Sequence, residues 1–174
     1  MKKYIITSLL LIFAVSFWNC EKDDICAETT PTTPKVIIEF YEFNTQTLKN
    51  VTNLRVEENG TDVGVVFNES LDDTNPAKFL TNENKISIPL KTFEDSSQFE
   101  FILNYQDTSQ SIEILTFNYE RNDVYISRAC GYKTLFNLNT PNGITTSSNN
   151  WIQNIEIVQT SINNENETHV KIYF

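Results

Sequence analysis

An all-β protein is what this chain predicts, and three observations lead there. Apolar and polar residues alternate in one short run after another. Polar clusters rich in Asn, Asp, Gly and Pro separate the runs. No stretch sustains a 3.6-residue period. Eight or nine short strands with regular turns suggest a single antiparallel β-sandwich of immunoglobulin-like kind, with a small β-barrel as the alternative. The expected order is a signal peptide at 1–19, a tether at 20–35 and the sandwich domain at 36–174.

The strands follow in chain order. Val36, Ile38 and Phe40 fall on one face, and Val63, Val65 and Phe67 keep the same period. The Asn-Gly pair in ENGTD, residues 58–62, reads as a hairpin turn ahead of that second run. Residues 70–85 read as a polar loop with at most one helical turn, near Pro76 to Leu80. Ile86, Ile88 and Leu90 alternate again, then Phe99, Phe101, Leu103 and Tyr105. Ile112 and Ile114 lie on the opposite parity to Leu115, Phe117 and Tyr119, which calls for a bulge or a strand covered on both faces. Val124 to Phe136, Trp151 to Ile162 and Val170 to Phe174 complete the set, with a long polar loop at 139–150.

The N-terminus is of another kind. Lys2 and Lys3 precede an apolar stretch from Tyr4 to Trp18 with no acid before Glu21, the pattern of a secretory signal peptide. The stretch is shorter than the roughly 20 residues a spanning helix needs. Cys20 sits where cleavage would fall, as the acylated cysteine of a bacterial lipoprotein does. The preceding Phe17-Trp18-Asn19 is similar to the relaxed boxes of Bacteroidetes lipoproteins. Ala14-Val15-Ser16 is a competing site for ordinary cleavage, which would release a soluble exported protein. Lys22, Asp23 and Asp24 resemble the tether signal that carries such lipoproteins to the cell surface. The plain alternative is a solvated spacer facing the periplasm. Residues 27–35 hold two prolines and four threonines, an extended segment that cannot donate to a ladder at every position.

From Cys20 onward the chain has 155 residues, with all 23 acids and 11 of the 13 Lys and Arg, a formal charge of −12. Such a surface repels nucleic-acid phosphates, and no basic stripe offsets it; nucleic acid is excluded as a partner. It also repels an anionic membrane face as a whole. With Cys20 acylated, Cys26 and Cys130 remain, and an oxidising compartment favours a disulfide between them over free thiols, a metal site or catalysis. The chain lacks CxxC, and His169 is its one histidine.

Two blocks, CEKDDICAETTPTTPKVIIEFYE at 20–42 and YISRACGYKTLFN at 125–137, resemble an uncharacterised family of Bacteroidetes lipoproteins, the domain of unknown function 6452 family. The family has no assigned activity, so the resemblance speaks to location and fold. It also implies a partner, an outer-membrane barrel protein.

Candidate chemistry is sparse. His169, beside Glu165 and Glu167, reads as a surface histidine in a turn rather than a catalytic base. Asp72, Asp73 and Asn75 offer clustered oxygens for Ca²⁺ but lack the EF-hand pattern. Trp151, Tyr132 and Tyr41 would make an aromatic sugar platform if the fold gathered them; core packing is the commoner use. Glu57-Glu58 and Glu94-Asp95 are adjacent pairs that point apart in extended chain. The function expected is a non-catalytic envelope lipoprotein, a binding or scaffolding module on the outer membrane with no metal or cofactor. A carboxylate-dependent surface hydrolase is the alternative.

Overall fold

The computed structural model describes residues 25–27, 29–30, 32–147 and 150–174. The chain divides into two compact units. The larger comprises Thr32–Val124 and Thr134–Phe174, the smaller Met1–Pro31 and Tyr125–Lys133.

Among the described residues eleven strands form: β1 (Val36–Tyr41), β2 (Leu54–Glu58), β3 (Leu80–Thr81), β4 (Lys85–Ile88), β5 (Ser96–Leu103), β6 (Ser111–Ser127), β7 (Gly131–Leu138), β8 (Ile144–Thr146), β9 (Asn154–Ile157), β10 (Ser161–Ile162) and β11 (Val170–Tyr173). One sheet has the order β4-β1-β11-β9. The other runs β10-β7-β6-β5-β2-β3, with β8 added against β6. Both sheets have edge strands, so this is a sandwich, and no closed barrel forms among the described residues.

Period two explains what is buried. Val36, Ile38 and Phe40 of β1 and Ile172 of β11 reach one core together with Leu54, Val56, Phe101, Leu115, Phe117 and Leu138 of the other sheet. Each such side chain stabilises the fold by about 1.5–3 kcal/mol on burial. The alternation expected for 86–90 is the one observed; in 36–40 and 99–103 Val36, Ile38, Phe40, Phe99 and Phe101 are buried as expected, and Ile37 and Ile102 of the opposite parity are buried as well.

Three local expectations change, and one is decided between its two alternatives. The sandwich is not wholly antiparallel: β1 pairs β11 in parallel, Ile38 opposite Val170 and Tyr41 opposite Tyr173. The sequence carries no sign of this, because strand direction is set by where the chain returns. The parity change at Ile112 and Ile114 involves no bulge, since β5 and β6 pair without interruption from Ser96–Asn118 to Leu103–Ser111. Glu113, Leu115, Phe117 and Tyr119 share the buried face, and Ile112 and Ile114 are half-covered on the other. Val63–Phe67 is not a regular strand. The turn at Gly60 (φ +77°) forms, and Glu57 bridges Gly64, but Phe67 then bonds across to Lys78. Val124 to Phe136 is not one strand either: the chain reverses between β6 and β7, and Cys130 lies in that turn. Gly131 follows at φ +69° with open space around the missing Cβ, so its role there is conformational.

The loop at 70–85 contains the expected helical turn, a 3₁₀ helix at Pro76–Phe79, capped by the Asn75 side chain accepting from the Ala77 N–H. The run from Trp151 to Ile162 splits between the sheets, β9 entering one and β10 the other. The loop at 139–150 holds the unexpected β8. Gly143 is needed beside it, because a Cβ there would stand 2.6 Å from the Asn139 carbonyl.

Candidate functional site

Cys20, Lys22, Asp23 and Asp24 lie outside the described residues, as does the signal segment. Cys26 and Cys130 are joined. Their disulfide spans 104 residues with the Cα atoms 4.9 Å apart. The Cys130 N–H donates to the Ser127 hydroxyl across the reversal, and the Thr30 hydroxyl stands 3.7 Å from Cys130 Sγ. Beside this staple the Tyr125 and Tyr132 rings meet edge to face at 5.3 Å, 54% and 68% exposed, and Ile25 is 84% exposed. The smaller unit thus presents a stapled hairpin with two tyrosines and an isoleucine open to its surroundings.

The three aromatics considered as a platform belong to separate clusters. Trp151 packs on Phe40 and Phe174 and donates from its ring nitrogen to the Phe101 carbonyl at 3.2 Å. Tyr41 pairs with Tyr173, and Tyr132 with Tyr125.

The carboxylates are engaged by cations. Glu57 holds Arg55 at 2.6 Å, Glu58 and Glu94 share Lys91, and Asp95 takes Arg121 at 2.7 Å. The 72–75 oxygens are used locally. Asp72 accepts from the Thr74 N–H and hydroxyl, Asp73 meets Lys78, and Asn75 caps the helix. These hydrogen bonds hold Asp72 below the usual carboxylate range, and the Lys78 contact does the same for Asp73. Among the described residues no group of three or more His, Cys, Asp or Glu is placed to hold a metal ion.

His169 is not a surface histidine. It is 0% exposed, just before β11. Its N–H donates to the Ile37 carbonyl at 3.0 Å, and its Nδ1 accepts from the Ile37 N–H at 2.9 Å. The partner strand lies 132 residues away in sequence, which is why local context misplaces this residue. Burial lowers its pKa, opposed by the nearby Glu167 and Glu165 and aided by Lys85. Nε2 is buried with no hydrogen-bond partner among the described residues.

Glu113 is the polar residue that sequence reasoning missed. It is wholly buried in β6, and its carboxylate accepts from the Thr146 hydroxyl at 2.6 Å and from the N–H groups of Asn150 and Trp151 at 2.8 and 3.3 Å. The available signal was parity: Glu113 occupies the inward phase set by Leu115, Phe117 and Tyr119. A second buried network closes the loop before β5. The Lys91 N–H donates to Ser97 Oγ, and the Tyr119 hydroxyl, 2.7 Å from that oxygen, donates to the Lys91 carbonyl.

The larger unit also carries a groove of about 350 Å³. Val63, Val65, Val66, Leu90 and Phe99 form its floor, and Lys35, Lys91, Glu58 and Glu69 stand around it. It exists because Val63–Phe67 leaves the sheet after one bridge.

Fold and residues together define a β-sandwich protein with a disulfide-stapled hairpin, in which the ionisable groups found buried serve the architecture. The chain belongs to the family of unknown function DUF6452, whose model matches residues 53–174. That match includes the hairpin and Cys130 and begins after Cys26. No curated protein and no solved structure matches the chain.

Proposed function

We propose that this chain is an outer-membrane lipoprotein of Bacteroidetes type, acylated on Cys20 and displayed at the cell surface through Lys22, Asp23 and Asp24. In this reading it is a non-catalytic binding or scaffolding module, and its partner is an outer-membrane barrel protein. The observation that carries the proposal is the border at Cys20, where an uncharged apolar stretch behind two lysines gives way at once to Glu21-Lys22-Asp23-Asp24. The Cys26–Cys130 disulfide supports it, because such bonds persist in oxidising compartments outside the cytoplasm. The ion pairs at Glu57, Glu58, Glu94 and Asp95 weigh against a carboxylate-dependent hydrolase, whose acid and nucleophile or base must face one another across a substrate.

Each acyl methylene buried in a membrane adds about 0.8 kcal/mol of affinity, so several chains on one cysteine hold firmly. The intact mass of the native protein should show a mature N-terminus at Cys20 carrying acyl mass. Cys20→Ser should release the protein from membranes. A mature chain beginning at Phe17 without acyl mass would refute acylation. Protease added to whole cells should cut the wild-type protein, and replacing Lys22, Asp23 and Asp24 with alanine should protect it. Mass spectrometry of what co-purifies with the lipidated protein tests the barrel partner.

A further inference from the structure

We propose that the stapled hairpin, residues 125–133 with Ile25, docks on the phospholipid headgroup surface of the leaflet that holds the anchor. The inference rests on the acylation of Cys20 proposed above. Three observations carry it. The first is reach: four residues separate Cys20 from Ile25, so the extended backbone from one to the other spans at most about 18 Å. The disulfide fixes the next residue, Cys26, to the hairpin turn at Cys130, so the chain meets the smaller unit at this turn. An anchored Cys20 therefore keeps the turn at Cys130 within about 27 Å of the bilayer surface, at most about 22 Å of extended chain to Cys26 and 4.9 Å across the bridge.

The second is side-chain chemistry. Ile25, Tyr125 and Tyr132 are all largely exposed, the two rings in edge-to-face contact. Tyrosine combines an apolar ring with a polar tip, which suits the boundary between headgroups and acyl chains. The third is charge. From Cys20 onward the chain is strongly acidic, yet 125–133 contains Arg128 and Lys133 and no acid. The hairpin is thus locally positive, separated from Cys20 by the acidic Glu21, Asp23 and Asp24, and cations near an anionic headgroup surface are attracted to it. A protein partner seated on the same hairpin is the competing arrangement; the short tether and the two exposed tyrosines favour lipid.

The test uses the full lipidated protein in vesicles of phosphatidylethanolamine and phosphatidylglycerol. Hydroxyl-radical labelling, read by mass spectrometry, is compared with that of the Cys20→Ser chain free in solution. Phe93, 91% exposed in another loop, is the internal reference. Labelling of Ile25, Tyr125 and Tyr132 should fall several-fold on vesicles while Phe93 is unchanged, and Arg128→Gln with Lys133→Gln should reduce the protection. Unchanged tyrosine labelling in a chain whose mass includes its acyl groups overturns the docking and leaves acylation standing. Equal protection of Phe93 overturns it as general shielding. Protection in native envelopes but not in pure lipid assigns the face to a protein and also overturns it. A chain lacking acyl mass overturns acylation and the docking with it.

Discussion

The His169 ring stands where a backbone acceptor would otherwise serve Ile37. With Nδ1 accepting from an N–H, the neutral ring carries its proton on Nε2. A second proton would have to go on Nδ1, against the Ile37 N–H and inside the core. The folded state therefore resists protonation, and the unfolded chain binds the proton first. Stability from this residue is complete above the unfolded histidine pKa of about 6.5 and falls as pH drops below it, by at most about 1.4 kcal/mol per pH unit. Urea melts between pH 7.5 and 5 should show that slope. His169→Asn, which keeps an acceptor near the Nδ1 position but does not titrate, should flatten it. An unchanged slope in the variant would assign the pH dependence to another group. Glu113 is the second residue of this kind. Removing its buried carboxylate breaks three part-buried hydrogen bonds, from Thr146, Asn150 and Trp151, so Glu113→Ala should cost about 2–4 kcal/mol by denaturant melts, given about 0.5–1.5 kcal/mol for each hydrogen bond. Arg55 resembles it in miniature: its guanidinium lies over the Tyr105 ring at 4.9 Å while its Nε holds Glu57.

Among the elements, the hairpin of β6 and β7 departs most from a simple strand reading. Its apolar residues alternate through the reversal, so pattern alone runs Val124 to Phe136 together; the turn shows only in Gly131 and its positive φ. The bridge at that turn closes a loop of about 100 residues, for which chain-entropy estimates give roughly 4–5 kcal/mol. Cys26→Ser and Cys130→Ser should each lower stability by a similar amount, and the double variant should cost little more than either, since one bond is lost in all three. Equilibrium unfolding of the three variants measures this, and additive losses would mean that the cysteines act separately. The parallel β1–β11 pair is a further element-level feature. Ile37 meets β4 on one side, and its backbone N–H and carbonyl meet His169 on the other, which gives β1 neighbours on both edges. A first strand so held does not fray as a terminal edge strand would.

For the whole molecule, charge is the dominant sequence-level quantity. The formal charge of −12 on the 155 residues from Cys20 onward repels itself in the compact state, while the surface ion pairs contribute little individually. Raising ionic strength from low salt to about 0.15 M, where the Debye length is about 8 Å, should therefore raise the melting temperature. A fall in melting temperature would show that the ion pairs outweigh the net repulsion.

The sequence by itself determined the all-β class, the alternating residues of the core, the Asn-Gly turn and the helical turn at Pro76, and it led to the Cys26–Cys130 pair through the expectation that Cys20 carries lipid. Those properties follow from period, turn chemistry and the small number of thiols, all of which are local or countable. Tertiary structure alone decided that β1 and β11 run parallel, that β9 and β10 enter different sheets, that Val63–Phe67 leaves its sheet to border a groove, and that His169 and Glu113 are buried. Each of these depends on which distant segment arrives alongside. His169 and Ile37 are 132 residues apart, and Glu113 meets its donors 33 to 38 residues on. A polar side chain becomes affordable inside a core only once those partners are in place, and no local pattern announces them.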